Sequence, residues 1–139
     1  MLLTVSSATV VPPLLIAIWL GEDSQTAFFV AMVSVCVVGV LCWYPVRNQR
    51  RELRVRDGFV VVSLFWTVLA VVGALPFVLT EQPSMSFTDA MFESMSGLTT
   101  TGATVITGID HLPKSIQFYR QELQWLGGMG IIVLAVAVL

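Results

Sequence analysis

The sequence predicts an all-α membrane protein in which two transmembrane helices precede a helix–re-entrant loop–helix unit. Three observations carry this: a shortage of charge, long uncharged runs at regular intervals, and a polar segment wedged between two of them. The chain has 139 residues, of which 56% are hydrophobic and 12% charged. A soluble globular domain carries about 25% charged residues, so this composition belongs to a chain that meets lipid. The formal net charge is −2, which offers no global positive field for nucleic acid.

The first uncharged run covers residues 1–21 and contains Pro12-Pro13. It has no Lys or Arg, and its apolar stretch exceeds the 7–15 residues of a signal-peptide core, so a retained helix is expected. The prolines remove amide donors and predict a bend, which membrane helices tolerate when neighbours satisfy the freed carbonyls. The second run covers 24–46, so that 1–46 forms a pair of N-terminal spans. Cys36 and Cys42 lie on it. At 3.6 residues per turn they face directions roughly 120° apart. They predict no disulfide or metal pair, only small buried side chains. The third run covers 58–80 and contains Pro76. Each run reaches the roughly 20 residues that cross about 30 Å of hydrocarbon. A fourth helix is expected over about 115–139. Its apolar body ends without a polar stop, so the reading expects a truncated chain. Trp19, Trp43, Tyr44 and Trp125 sit near span ends, as interfacial anchors do.

The charges predict a topology. Residues 47–57 hold Arg47, Arg50, Arg51, Arg54 and Arg56 against Glu52 and Asp57. The other connections hold Glu22, Asp23, Glu81, Asp89, Glu93, Asp110 and Glu122 against Lys114 and Arg120. The positive-inside rule makes 47–57 a cytoplasmic loop and sends the 21–25 turn and the 81–121 region outside. Anionic lipid head groups are the expected partners of the arginines.

The polar segment, 87–106, is FTDAMFESMSGLTTTGATVI. Ser86 followed by Asp89 is a partial capping box, and Asp89 suits the positive end of a helix dipole. Phe87, Met91 and Met95, with Phe92, predict an apolar packing side. Ser94, Ser96 and Gly97 allow close approach. A helix over 86–98 spans roughly 15–18 Å and enters half a membrane. Residues 99–105 are β-branched with one glycine, which predicts extended backbone. At membrane depth such backbone must be buried in protein or line water. Grouped around an axis, its carbonyls can replace the water around a cation. Gly102 can take φ values that a Cβ makes costly. The plainer reading is a Thr-rich outer linker. Asp89 and Glu93 could concentrate cations at the mouth. Alternatively, Asp89 caps the helix and Glu93 holds neighbouring backbone or an arginine. Glu81 and Asp110 read as solvated charges, and His111, the only histidine, as surface. WLGGMG at 125–130 predicts close packing on the loop, or a hinge.

FTDAMFESMSGLTTTGAT at 87–104, FYRQ at 118–121 and QWLGGMGIIV at 124–133 closely resemble the bacterial TrkH/TrkG potassium-uptake subunits, within the wider Trk/Ktr/HKT superfamily. The two helices ahead of the loop unit fit TrkH and TrkG rather than the shorter KtrB arrangement. The resemblance implies a potassium-channel-like fold of four helix–pore loop–helix repeats in one chain. Residues 58–139 would then be the first repeat: outer helix 58–80, pore helix 86–98, filter 99–105 and an incomplete second helix. It implies potassium uptake across the bacterial inner membrane, with potassium as the transported substrate, no covalent cofactor and no enzymatic activity. Thr100, Thr101, Gly102 and Ala103 would supply filter carbonyls or hydroxyls, with Gly102 as the filter glycine. A homodimer and a TrkA-type cytosolic nucleotide-binding regulatory subunit are the implied partners. One filter segment cannot surround an ion, so the chain is expected to act as the N-terminal part of a larger protein. The rival reading is a non-transporting membrane anchor or sensor module. An enzyme is disfavoured because the spans hold no paired acid–base or metal set.

Overall fold

The computed structural model describes residues 7–44 and 55–138. One 3-10 turn, Ser7–Val10, leads into helix α1, Val11–Leu20. Pro12 and Pro13 lie in its first turn, where the missing amides have no intrahelical partner to lose. The predicted proline bend is therefore a helix start. Gly21, at φ 66°, ends α1 in the left-handed conformation, and the Glu22 amide closes onto the Ala17 carbonyl at 2.9 Å. The chain turns directly into α2, Ser24–Trp43.

Helix α3 spans Val55–Leu79 and begins inside the loop predicted at 47–57. The rest of that loop, with Arg47, Arg50, Arg51 and Arg54, lies outside the described residues. Helix α4 is Phe87–Leu98, and α5 is Lys114–Val138 after a short 3-10 turn at Ile109–His111. α4 packs between α3 and α5, while α1 lies against α2 and α5, and α2 against α3.

The core joins these helices through aromatics. Tyr119 of α5 meets Phe28 of α2 edge-on at 5.5 Å and Phe77 of α3 at 5.3 Å between ring centroids. Its hydroxyl donates to the Gly73 carbonyl at 3.0 Å. The buried stripe of α2 is Ser24, Ala27, Phe28, Ala31 and Val35, at helical spacing.

The windows Ser24–Leu41 and Val62–Leu79 are long and apolar enough to cross a membrane, and only 33% and 28% of them are buried. A core helix of a soluble protein would be mostly covered. Here Val30, Val37, Leu41, Leu64 and Val68 face outward, as lipid-facing side chains do. Cys36 is exposed as well, which corrects the expected burial. It lies one position beyond Val35 and so about 100° off the buried stripe. The side chain of Cys42 lies outside the described residues. Trp19, Trp43, Tyr44 and Trp125 are all exposed.

Candidate functional site

The candidate site is built from the end of α4. Ser86 caps this helix: its hydroxyl accepts the Asp89 amide at 3.2 Å and donates to Asp89 Oδ2 at 2.8 Å. Asp89 thus serves the helix start.

α4 buries the small residues expected to allow close approach, but not the predicted Phe87 and Phe92. Ala90, Glu93, Ser94, Ser96 and Leu98 are buried, whereas Phe87 is 55% and Phe92 44% exposed. Met91 and Met95 are partly buried and pack against the core. Close approach of neighbouring backbones selects the small residues. A Cβ on Gly73 of α3 would strike Ser94 Oγ. A Cβ on Gly97 would lie 3.0 Å from Leu123 Cβ, and one on Gly127 of α5 would lie 2.6 Å from the Leu98 carbonyl carbon. Gly127 therefore seats the end of α4 against α5, while Gly130 lies against Trp66 of α3.

Beyond Leu98 the backbone turns its amides inward. The Thr99 amide donates to Met95 O at 2.9 Å, Thr100 to Gly97 O at 2.9 Å, Thr101 to Ser96 O at 2.9 Å and Gly102 to Ser96 O at 3.4 Å. Thr100 at φ 57° and Gly102 at φ 73° make this possible. In a planar trans peptide the carbonyl of one residue opposes the amide of the next. The carbonyls of Thr99, Thr100 and Thr101 therefore point away from the helix end. Residues 99–105 are exposed. The three carbonyls lie at the C-terminal, partially negative end of α4. Such a site favours a cation.

Ala103 behaves differently. Its carbonyl accepts the Ser96 hydroxyl at 2.6 Å and so faces back toward α4. Thr99, absent from the predicted set, turns its carbonyl outward, while its hydroxyl contacts Met95 O and Thr101 Oγ1 at 2.8 Å each. The signal available for Thr99 was its place as the first β-branched residue after the helix.

Glu93 holds the outward-returning backbone. Its side chain is 1% exposed and pairs with Arg120 Nε at 3.0 Å, Arg120 being 15% exposed. The same carboxylate accepts the Val105 amide at 2.8 Å and the Thr104 hydroxyl. Thr104 Oγ1 in turn accepts the Ile106 amide at 3.0 Å. Of the two roles read for Glu93, the structure adopts the support of backbone and arginine. A polar cavity of about 160 Å³ lies behind the segment, lined by Glu93, Ser96, Gly102, Thr104, Arg120 and Gln124 among others.

A second cluster fixes the start of α5. Glu22, in the α1–α2 turn, accepts the Lys114 amide at 2.7 Å, the Ser115 amide at 3.2 Å and the Ser115 hydroxyl. Ser24 and Ser115 hydroxyls meet at 2.8 Å. Partial burial pushes the Glu22 carboxyl up, but the bonds from Ser115, Lys114 and Ser24 outweigh it and hold the group below the usual carboxylate range. Sequence reading treated Glu22 as one outer charge among several. Glu81, Asp110 and His111 are exposed. Among the described residues no group of three or more His, Cys, Asp or Glu could hold a metal ion.

The chain is similar to the Trk system potassium uptake protein TrkH of Halomonas elongata, at 56% identity over the whole chain, and to that of Escherichia coli, at 51%. It is 41% identical over 96% of its length to the Trk system potassium uptake protein TrkG of Escherichia coli. The crystal structure of the potassium transporter TrkH from Vibrio parahaemolyticus superposes with a TM-score of 0.93 at 52% identity, covering 99% of this chain and 29% of that one. The chain spans 29% of the length of the two TrkH relatives named above. The family model described as TrkH, cation transport protein, matches residues 24–139, and the chain belongs to that family.

Proposed function

We propose that this chain is the N-terminal part of a bacterial potassium-uptake subunit. In this reading residues 58–139 form the first helix–pore loop–helix repeat of a potassium-channel-like fold. Residues 99–105 supply one of four filter segments, and potassium is the transported substrate. The observation that carries the reading is the inward turn of the amides of residues 99–102. It leaves a row of carbonyls at a helix C-terminus, the arrangement that replaces the hydration shell of a cation. The family match and the names of the relatives support potassium as that cation.

The outward carbonyls of Thr99, Thr100 and Thr101 are the proposed ligands, and Gly102 is the position whose φ permits the turn. Ala103 closes the segment through Ser96. Asp89 caps the pore helix and Glu93 supports the filter from behind. The protein sits in the bacterial inner membrane, with the 47–57 loop in the cytoplasm, where lipid head groups meet its arginines, and the pore loop entering from outside. The arginine content of that loop supports this orientation. A homodimer and a TrkA-type nucleotide-binding regulatory subunit are proposed partners of the full-length protein, on the family resemblance.

The test is potassium-limited growth of a transport-deficient bacterium carrying the full-length parent gene. Gly102→Asp is expected to abolish growth at low potassium, because the left-handed φ of 73° costs a side-chain residue about 1–2 kcal/mol and a carboxylate is added at the filter. Wild-type growth and cation selectivity from that variant would overturn the assignment of 99–105.

A further inference from the structure

We infer that the buried Glu93–Arg120 pair is a selectivity device, which holds the Thr104 carbonyl toward the ion path by keeping the Val105 amide turned away from it. The inference rests on reading 99–105 as a filter segment. Two features distinguish this pair from a stabilising contact. A buried ion pair adds little net stability over apolar residues of similar size, and its best-attested use is to specify one arrangement. The pair is also not closed on itself. One carboxylate oxygen takes Arg120 Nε at 3.0 Å. The other takes the Val105 amide at 2.8 Å together with the Thr104 hydroxyl.

The consequence follows from peptide geometry. With the Val105 amide fixed on Glu93, the Thr104 carbonyl must point away from Glu93, which we take as the direction of the ion path. Ala103, the residue before it, is anchored inward by Ser96 at 2.6 Å. Thr104 and Val105 are exposed, and Glu93 is the acceptor that fixes the Val105 amide. Without Glu93 as a charged acceptor the Thr104–Val105 peptide can rotate. It would then present an N–H, not an oxygen, to a passing cation. Arg120 holds the Glu93 side chain in place through the 3.0 Å contact to its second carboxylate oxygen. Both residues are positioning residues, touching the backbone that touches the ion.

The experiment uses the full-length parent protein in proteoliposomes, with potassium and sodium flux measured at matched protein density. Glu93→Gln is expected to lower potassium-over-sodium discrimination about tenfold, the weight of one hydrogen bond to a charged acceptor. Arg120→Lys, which keeps the charge, is expected to recover part of that loss relative to Arg120→Gln. Thr104→Val leaves the buried pair intact and removes one bond to it. It is expected to lower discrimination by a smaller factor, and it replaces Glu93→Gln as the deciding variant if the latter does not assemble. Wild-type discrimination in an assembled Glu93→Gln protein, or in Thr104→Val in its stead, overturns the inference. Gly102→Asp run alongside separates the two claims. If it alone alters transport, the pair is not a selectivity device. If it alters nothing, the filter reading itself has failed.

Discussion

Substituting Gly127 with alanine tests how the end of α4 is seated. An added Cβ would lie 2.6 Å from the carbonyl carbon of Leu98 and 2.8 Å from its Cα. Carbon atoms in good contact are about 3.5–4.0 Å apart, so the shortfall is about 0.9 Å. The atoms it meets are backbone at the last turn of a helix, not a side chain that can change rotamer. The helices must therefore separate. Overpacking costs typically about 1–3 kcal/mol, and a rigid partner places Gly127→Ala near the upper end. Gly128 supplies the control. Its added Cβ would meet Thr100 Cγ2 at 3.7 Å, an ordinary contact. Alanine is better than glycine in a helix by about 1 kcal/mol, and both variants share that gain. The expected difference between them is about 3 kcal/mol, or roughly a hundredfold in the folding equilibrium. Thermal melts of the detergent-solubilised full-length protein, with the two variants side by side, measure it. Potassium flux should fall with Gly127→Ala, since Leu98 immediately precedes the residues whose carbonyls face outward. Equal melting of the two variants would refute the claim that α5 backbone seats Leu98.

Tyr119→Phe removes the bond to the Gly73 carbonyl but keeps both aromatic contacts, so it should cost about 1 kcal/mol. Tyr119→Ala should cost about 3–5 kcal/mol; melts of the full-length variants compare the two. Glu22→Gln weakens the acceptor of the Lys114 and Ser115 amides and should cost about 1 kcal/mol at neutral pH, a charged hydrogen bond discounted for solvent screening. Because the folded Glu22 carboxyl is held below its ordinary value of 4.5, its contribution is fully present above that value and is lost as pH falls through the folded one. The melting difference between wild type and Glu22→Gln should therefore shrink below about pH 4.5, and a pH-independent difference would contradict the capping role.

The sequence made the helices legible because apolar length and charge are local properties. α2, α3 and α4 begin within a few residues of their predicted starts. The Ser86–Asp89 cap was legible for the same reason. Contacts between distant segments were not. Glu22 meets Ser115 across 93 positions of chain, and no periodicity encodes that pairing. For Glu93 the sequence offered a residue able to hold backbone or an arginine, but only the fold brings Val105 and Arg120 to it together.

The misread faces share one cause. Phe87 on α4 and Cys36 on α2 were expected inside because they are apolar, and both are exposed. In water that inference holds, since burial removes apolar surface from solvent. Helices pack closely where small residues let their backbones approach. The residues that are buried on α4 include Ala90, Ser94 and Ser96; Ser94 faces Gly73 on one neighbour, and Gly97 and Leu98 meet Leu123 and Gly127 on the other. On α2 they include Ser24, Ala27 and Ala31. On α4 the small residues mark the inward face, while the aromatic core is built by Phe28, Phe77 and Tyr119 of the other helices. Glu93 follows the same logic from the polar side. It can sit on the small-residue face because Arg120, Thr104 and the Val105 amide satisfy it there, and a carboxylate on the face of Phe87 and Phe92 would have no such partners.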